Sequence, residues 1–197
     1  MEAVNFKREV EDLRQFGMNL AIERIYIRIP DAKQILWRGL QFFGKEEVFE
    51  AKWLPEYNEV ATWLGDNQGR GLLLYGNCGR GKSLIACKIL PILFKHYCRK
   101  ILRVYDMQTV NRDLDDIITK YLKVLDDAGT EEVSNNYGNK RMALSEVVDE
   151  AEKKGHLVVI TTNLTLSEVA VKYGNRTLDR LKKITTPVLF KGESLRK

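Results

Sequence analysis

The 197-residue sequence contains no apolar run near the roughly 18 residues that a membrane span requires. Its longest, Gly71-Leu72-Leu73-Leu74-Tyr75 and Leu157-Val158-Val159-Ile160, are strand-length, so no membrane association is expected. The stretch from Met1 to Glu9 mixes acids with bases and has no apolar segment of the kind a secretory leader carries. Cysteine and histidine are scarce. Cys78, Cys87 and Cys98 form no Cys-x-x-Cys pair, and there are two histidines, which argues against a zinc site and a disulfide framework and predicts a reduced, cytoplasmic setting. Internal repeats and low-complexity tracts are also missing. With 44% hydrophobic and 30% charged residues, the chain reads as one globular domain with a small appendage.

The net charge of +5 is small but unevenly spread. Lys88 to Arg103 holds five bases and no acid, with Phe94 and Tyr97 among them; Val171 to Lys197 holds eight bases against Asp179 and Glu193. Such stretches suit either a nucleic-acid footprint or a solvated helix face.

Residues 1–60 read as a helical segment. Phe6, Val10 and Leu13 recur at helical spacing, and Asp31 is placed to cap a helix through Ile35, Leu36, Leu40 and Phe43 that Gly44 ends. From Gly71 onward short apolar strands alternate with amphipathic helices, the pattern of a parallel α/β sheet. Strands are predicted at 72–75, 101–105, 121–125, 157–161 and 188–190, with a helix from about Lys82 to Lys95 and a long polar-faced one between the third and fourth strands. The polar, glycine-containing stretch from Asp66 to Gly71 precedes the first strand, and residues 61–197 are expected to form an ATP-binding core.

Directly after the first strand comes Gly76-Asn77-Cys78-Gly79-Arg80-Gly81-Lys82-Ser83, a G-x-x-x-x-G-K-S motif in strand-loop-helix context, followed by Leu84. The glycines let successive backbone N–H groups face one concavity, and the helix N-terminus adds positive potential there. Lys82 is then placed to reach the β- and γ-phosphates of ATP, and the Ser83 hydroxyl to ligate Mg²⁺. Cys78 and Arg80 occupy variable loop positions without assigned chemistry.

Two adjacent carboxylates, Asp126 and Asp127, end the third strand, where ligands bind in open α/β sheets. Asp126 is expected to hold Mg²⁺ through its water shell and Asp127 to orient or deprotonate the attacking water, a pairing that implies hydrolysis. The fourth strand ends in Thr161-Thr162-Asn163, from which Asn163 can reach the γ-phosphate or the water.

Together, Gly76 to Ser83, Val124 to Asp127, Ile160 to Asn163, Tyr173-Gly174-Asn175-Arg176-Thr177-Leu178-Asp179-Arg180-Leu181 and the closing Phe190 to Arg196 resemble the AAA+ ATPases of the bacterial helicase-loader (DnaC-like) group, which also embraces IstB-type transposition helpers. The resemblance runs from about Trp53 to the C-terminus. It implies a P-loop NTPase fold of AAA+ type with a five-stranded parallel sheet, ATP and Mg²⁺ as cofactors, a sensor role for Asn163, and an arginine in the 176–180 segment acting on a neighbouring subunit's ATP. Arg176 and Arg180 both stand as candidates, four residues apart on one helix face. Two departures stand out. Asp127 replaces the glutamate of many AAA+ proteins, which suits slow hydrolysis, and the chain after Gly71 is too short for a helical lid. The resemblance further implies a replicative helicase and single-stranded DNA as partners and an ATP-dependent homo-oligomer, with DNA contact through Lys88 to Arg103 or the segment after Asp106. A transposition helper that coats duplex DNA, or a nucleotide-gated interaction module with negligible turnover, are the alternatives.

Overall fold

Leu72, Leu73, Leu74, Val124, Leu125, Val158, Val159 and Ile160 are all at most 1% exposed. Strands buried on both sides need helices on both faces of the sheet, which parallel crossovers supply. The computed structural model describes residues 4–18, 20, 22–46, 51–132, 134–136 and 139–195. Its elements are α1 (Phe6–Gln15), α2 (Ala32–Glu46), α3 (Glu56–Gly65), β1 (Gly71–Gly76), a helical run α4 over 84–98, β2 (Arg103–Asp106), α5 (Leu114–Thr119), β3 (Leu122–Ala128), β4 (Ser134–Asn136), β5 (Asn139–Arg141), α6 (Ala143–Lys154), β6 (Leu157–Thr162), α7 (Leu166–Tyr173), α8 (Asn175–Ile184) and β7 (Thr185–Phe190). Among the described residues no helix is long and apolar enough to cross a membrane.

The main sheet has the order β2-β3-β6-β1-β7, every pair parallel. Side chains alternate across it. Leu72, Leu74, Val124, Val159 and Phe190 join one core with Leu36 and Leu40 of α2, Tyr57, Val60 and Trp63 of α3 and Ile85 and Phe94 of α4. Leu73, Leu125, Val158 and Ile160 join the other with Val147 and Val148 of α6, Val169 of α7 and Leu181 of α8. Thus α2 and α3 share a core with the sheet, whereas α1 buries none of its residues.

All five predicted strands are present, with shifted ends. The second begins at Arg103 rather than 101, and the last begins at Thr185, three residues early. Pro187 is tolerated there because β7 is an edge strand, where a missing N–H breaks no inner ladder. Helix α2 runs through Gly44 to Glu46; Asp31 sits at φ +49° before it, and its carbonyl accepts the Ile35 N–H at 3.0 Å. Between β3 and β6 the sequence suggests only a helix, yet an antiparallel hairpin, β4–β5, precedes α6. Its Ser-Asn-Asn and Asn-Lys-Arg segments lack the apolar alternation that marks a strand.

At the end of the sheet where the strands begin, two basic groups sit in low-dielectric surroundings. Lys123, fully buried, donates from Nζ to the Ile118 carbonyl at 3.0 Å, and burial pushes its ammonium down to about 8. His156 is held down to about 4, first by burial and then by the Lys123 charge, with Lys154 acting in the same direction and only Glu150 pulling the other way. Because its folded value lies below the unfolded 6.5, the unfolded chain binds more protons between those limits. Stability is therefore retained above pH 6.5 and lost as pH falls toward 4. The melting temperature of the parent is expected to fall over this interval more steeply than that of His156→Gln; parallel curves in a pH series of thermal melts would contradict this.

Candidate functional site

The loop after β1 turns back over the edge strand. Asn77 donates its backbone N–H to the Phe190 carbonyl at 2.8 Å, and Gly76 takes φ +107°, where a Cβ would lie 2.4 Å from the same oxygen. Only glycine meets both demands. Beyond β7, the segment 191–195 lies along the outside of the loop. The Asn77 side-chain amide donates to Gly192 O at 2.9 Å, Arg80 Nη1 to Glu193 O at 2.9 Å, and the Leu195 N–H to Gly79 O at 2.8 Å. Gly79 admits this close approach, since a Cβ there would fall 2.0 Å from Ser194 Oγ. Arg196, which closes the resemblance quoted above, lies outside the described residues.

Inside the loop, Lys82 is 5% exposed. Its Nζ donates to Gly76 O at 2.8 Å, Asn77 O at 2.7 Å and Asn163 Oδ1 at 2.9 Å. These three acceptors hold the ammonium at the mouth of the loop and join it to the end of β6. A cavity of about 360 Å³ opens above it, lined among others by Cys78, Gly79, Gly81, Ser83, Leu84, Asp126, Asp127 and Asn163. Phosphates entering this space would meet the loop N–H groups and find Lys82 already desolvated.

The acid pair is shaped by a bulge. The β3–β6 register shifts between Leu125 and Ala128, and Asp127 takes φ +56°, the left-handed region unusual for a residue other than glycine. Thr161 of β6 ties the two acids together. Its hydroxyl donates to Asp126 Oδ1 at 2.6 Å and accepts the Asp127 N–H at 2.9 Å. That leaves the second carboxylate oxygen of Asp126 and the Ser83 hydroxyl beside the cavity as hard oxygen donors. Such a sparse set fits Mg²⁺, which keeps several waters and takes its remaining ligands from phosphates; among the described residues no cluster of three or more acids, histidines or cysteines offers a dedicated cage.

Arg80 occupies the loop but its side chain leaves it. The guanidinium is 7% exposed and meets Glu56 of α3, Nε at 2.7 Å and Nη2 at 2.6 Å from Oε1. The neighbouring Tyr57 hydroxyl donates to the Arg80 carbonyl at 2.9 Å; burial raises its pKa, so it stays protonated. Sequence reasoning missed Glu56, Tyr57 and the bridging role of Thr161. The first two carry no local signal, because their partner lies more than twenty residues away; Thr161 was visible only as a small polar group ending a strand.

The two arginines of the 176–180 segment differ. Arg180 is 17% exposed, pairing through Nε with Glu152 at 2.9 Å and also with Asp149 of α6. Arg176, at the start of α8, is exposed and makes no ion pair among the described residues. The basic stretch from Lys88 to Arg103 is also divided. Lys88 borders the P-loop cavity, whereas Lys100 lies at the far end of the sheet.

The sheet order, the P-loop on β1 and the acid pair on the strand two places away define a P-loop nucleoside-triphosphatase fold of AAA+ type. No protein-family model and no curated protein matches the chain. Among solved structures, DnaI is similar over 64% of this chain and 73% of its own, at 19% identity and TM-score 0.52. The DnaC helicase loader is similar over 83% and 93%, at 16% identity and TM-score 0.52.

Proposed function

We propose that the chain is an ATP-binding and slowly ATP-hydrolysing AAA+ protein that acts in DNA replication in the manner of a helicase loader. The observation that carries this reading is the convergence of Lys82, Asn163, Asp126 and Asp127 on one cavity at the C-terminal ends of three strands. Lys82 exchanges its carbonyl partners for phosphate oxygens, and Asn163 moves with it to face the γ-phosphate. Ser83 and Asp126 would hold Mg²⁺, which would neutralise charge on the phosphate oxygens. Asp127 takes a proton from, or orients, the attacking water; its strained backbone aims a side chain shorter than glutamate toward the cavity. Arg176 completes the site of a neighbouring subunit, so turnover depends on assembly of a homo-oligomer. Its exposure, and the lack of an ion pair to it among the described residues, support it over Arg180.

The partner is a replicative helicase, with single-stranded DNA as the nucleic acid and the cytoplasm as the setting. The proposed division keeps 1–60 as a helical segment and 61–197 as the ATP-binding core, with α2 and α3 packed onto that core and α3 crossing the boundary between them. Within the former, Phe6 at the start of α1 and Phe16 just after its end, 77% and 84% exposed, offer a contact surface for the helicase.

Titration with a fluorescent ATP analogue tests the reading first. Lys82→Ala is expected to abolish binding, and equal affinity in parent and variant would sink it. Asp127→Asn is expected to retain affinity while turnover falls by roughly 10²- to 10⁴-fold. Unchanged single-turnover hydrolysis in that variant would leave a nucleotide-gated module without catalysis.

A further inference from the structure

At the end of the sheet opposite the P-loop, a second cavity of about 700 Å³ opens between the extended segment 22–26, the residues just after α4, the start of β3 and the C-terminal end of α6. Close backbone packing builds it. A Cβ on Gly155 would lie 2.3 Å from the Glu23 carbonyl, and one on Gly69 would lie 3.0 Å from Arg24 Cβ and 3.1 Å from the Tyr26 ring. Asn67 pins the segment, donating to Ile25 O and accepting the Ile27 N–H, both at 2.9 Å. The Leu157 N–H donates to Tyr121 O at 2.9 Å and sets Tyr121 at the opposite rim.

Two features of this groove are unusual for an ordinary solvated surface. Tyr26 and Tyr121 are 66% and 53% exposed although both backbones are held in place, which leaves ring surface open at low entropic cost. Four cations line the groove, Arg24, Lys100, Lys153 and Lys154, against one lining carboxylate, Glu23. Lys154 is taken by Glu150 at 2.6 Å. Arg24, Lys100 and Lys153 make no ion pair among the described residues, and Lys100 Nζ stands 5.7 Å from the Tyr121 ring centroid. The C-terminal dipole of α6 accounts for Lys153, but not for Lys100, Arg24 or the tyrosines.

We infer that this groove binds single-stranded nucleic acid, with bases stacked on Tyr26 and Tyr121 and phosphates on Arg24, Lys100 and Lys153. Exposed aromatic rings beside cations that make no ion pair among the described residues suit a strand whose bases are unstacked, with a base taking the Tyr121 surface that Lys100 leaves open, and duplex offers no such faces. The inference rests on the proposed action on single-stranded DNA for the kind of ligand, and it places that ligand away from the ATP cavity, so the two can be occupied together.

The test is fluorescence anisotropy of labelled oligothymidylate with the full chain, without nucleotide, across a salt series; an oligouridylate arm tells DNA from RNA. Tyr26→Ala with Tyr121→Ala is expected to weaken binding about tenfold for each stacked base lost, and Tyr26→Phe with Tyr121→Phe to retain it. Lys100→Ala with Lys153→Ala should reduce the slope of log K against log salt by about 0.7 for each phosphate contact removed. Each sample is also titrated with the fluorescent ATP analogue, whose unchanged affinity shows that the fold and P-loop persist. Undiminished oligothymidylate binding by the double alanine variants, or equal affinity for duplex, overturns the site. A parent chain that binds ATP but no oligonucleotide overturns the inference and leaves the ATPase reading standing.

Discussion

Arg176→Ala is expected to lower assembly-dependent ATP turnover by on the order of a thousandfold while nucleotide affinity stays at the parental value. An arginine supplied to a neighbour's phosphoryl group stabilises charge that develops only in the transition state, so its loss appears in turnover and not in binding. Mixing gives the decisive measurement. Arg176→Ala chains keep an intact P-loop, and Lys82→Ala chains keep the arginine, so a mixture of two inactive preparations should recover a fraction of parental steady-state hydrolysis. Arg180→Ala serves as the contrast. With Arg180 engaged by Asp149 and Glu152, its removal is expected to lower the melting temperature of the isolated chain. If Arg180→Ala is instead inactive and rescued by mixing, while Arg176→Ala turns over normally, the assignment is reversed.

Glu56→Ala should destabilise the chain by about 3–5 kcal/mol, because it strands the Arg80 guanidinium in an interior that is otherwise its ion-pair site. For a domain of this size that corresponds to roughly 10 °C in melting temperature. Replacing both partners by methionine avoids an unpaired buried charge and is expected to recover most of the stability. The pair also braces the P-loop from α3, with Tyr57 holding the Arg80 carbonyl from the same helix. Nucleotide affinity should therefore fall in Glu56→Ala even under conditions where the protein remains folded. Urea unfolding and ATP-analogue titration on the same samples check both statements; unchanged affinity with reduced stability would show that the brace serves the fold alone.

How far the site could be read from sequence depends on the distance over which each part acts. Gly76 to Ser83 is local chemistry. Glycines at the required positive φ, a lysine and a hydroxyl follow one another in eight residues, so the motif and its strand-loop-helix setting are visible together. Asp126 and Asp127 are visible as a pair at a strand end, but the bulge that places Asp127 at φ +56° and the Thr161 hydroxyl that binds both acids come from the neighbouring strand. The alternation of apolar strands and amphipathic helices showed the sheet, whereas the β4–β5 hairpin, whose Ser-Asn-Asn and Asn-Lys-Arg segments carry no apolar alternation, did not show.

The sequence by itself determined the phosphate loop, the order of its motifs and the parallel α/β class, since these rest on steric rules and periodicities that operate within a few residues. Only the tertiary structure decided that Arg80 turns away to Glu56, that Arg180 is held by α6 while Arg176 stays exposed, and that one basic stretch is divided between opposite ends of the sheet. Charge count is a property of the chain. Which charges are paired, buried or open is a property of the packing, because it depends on partners that folding brings from distant positions.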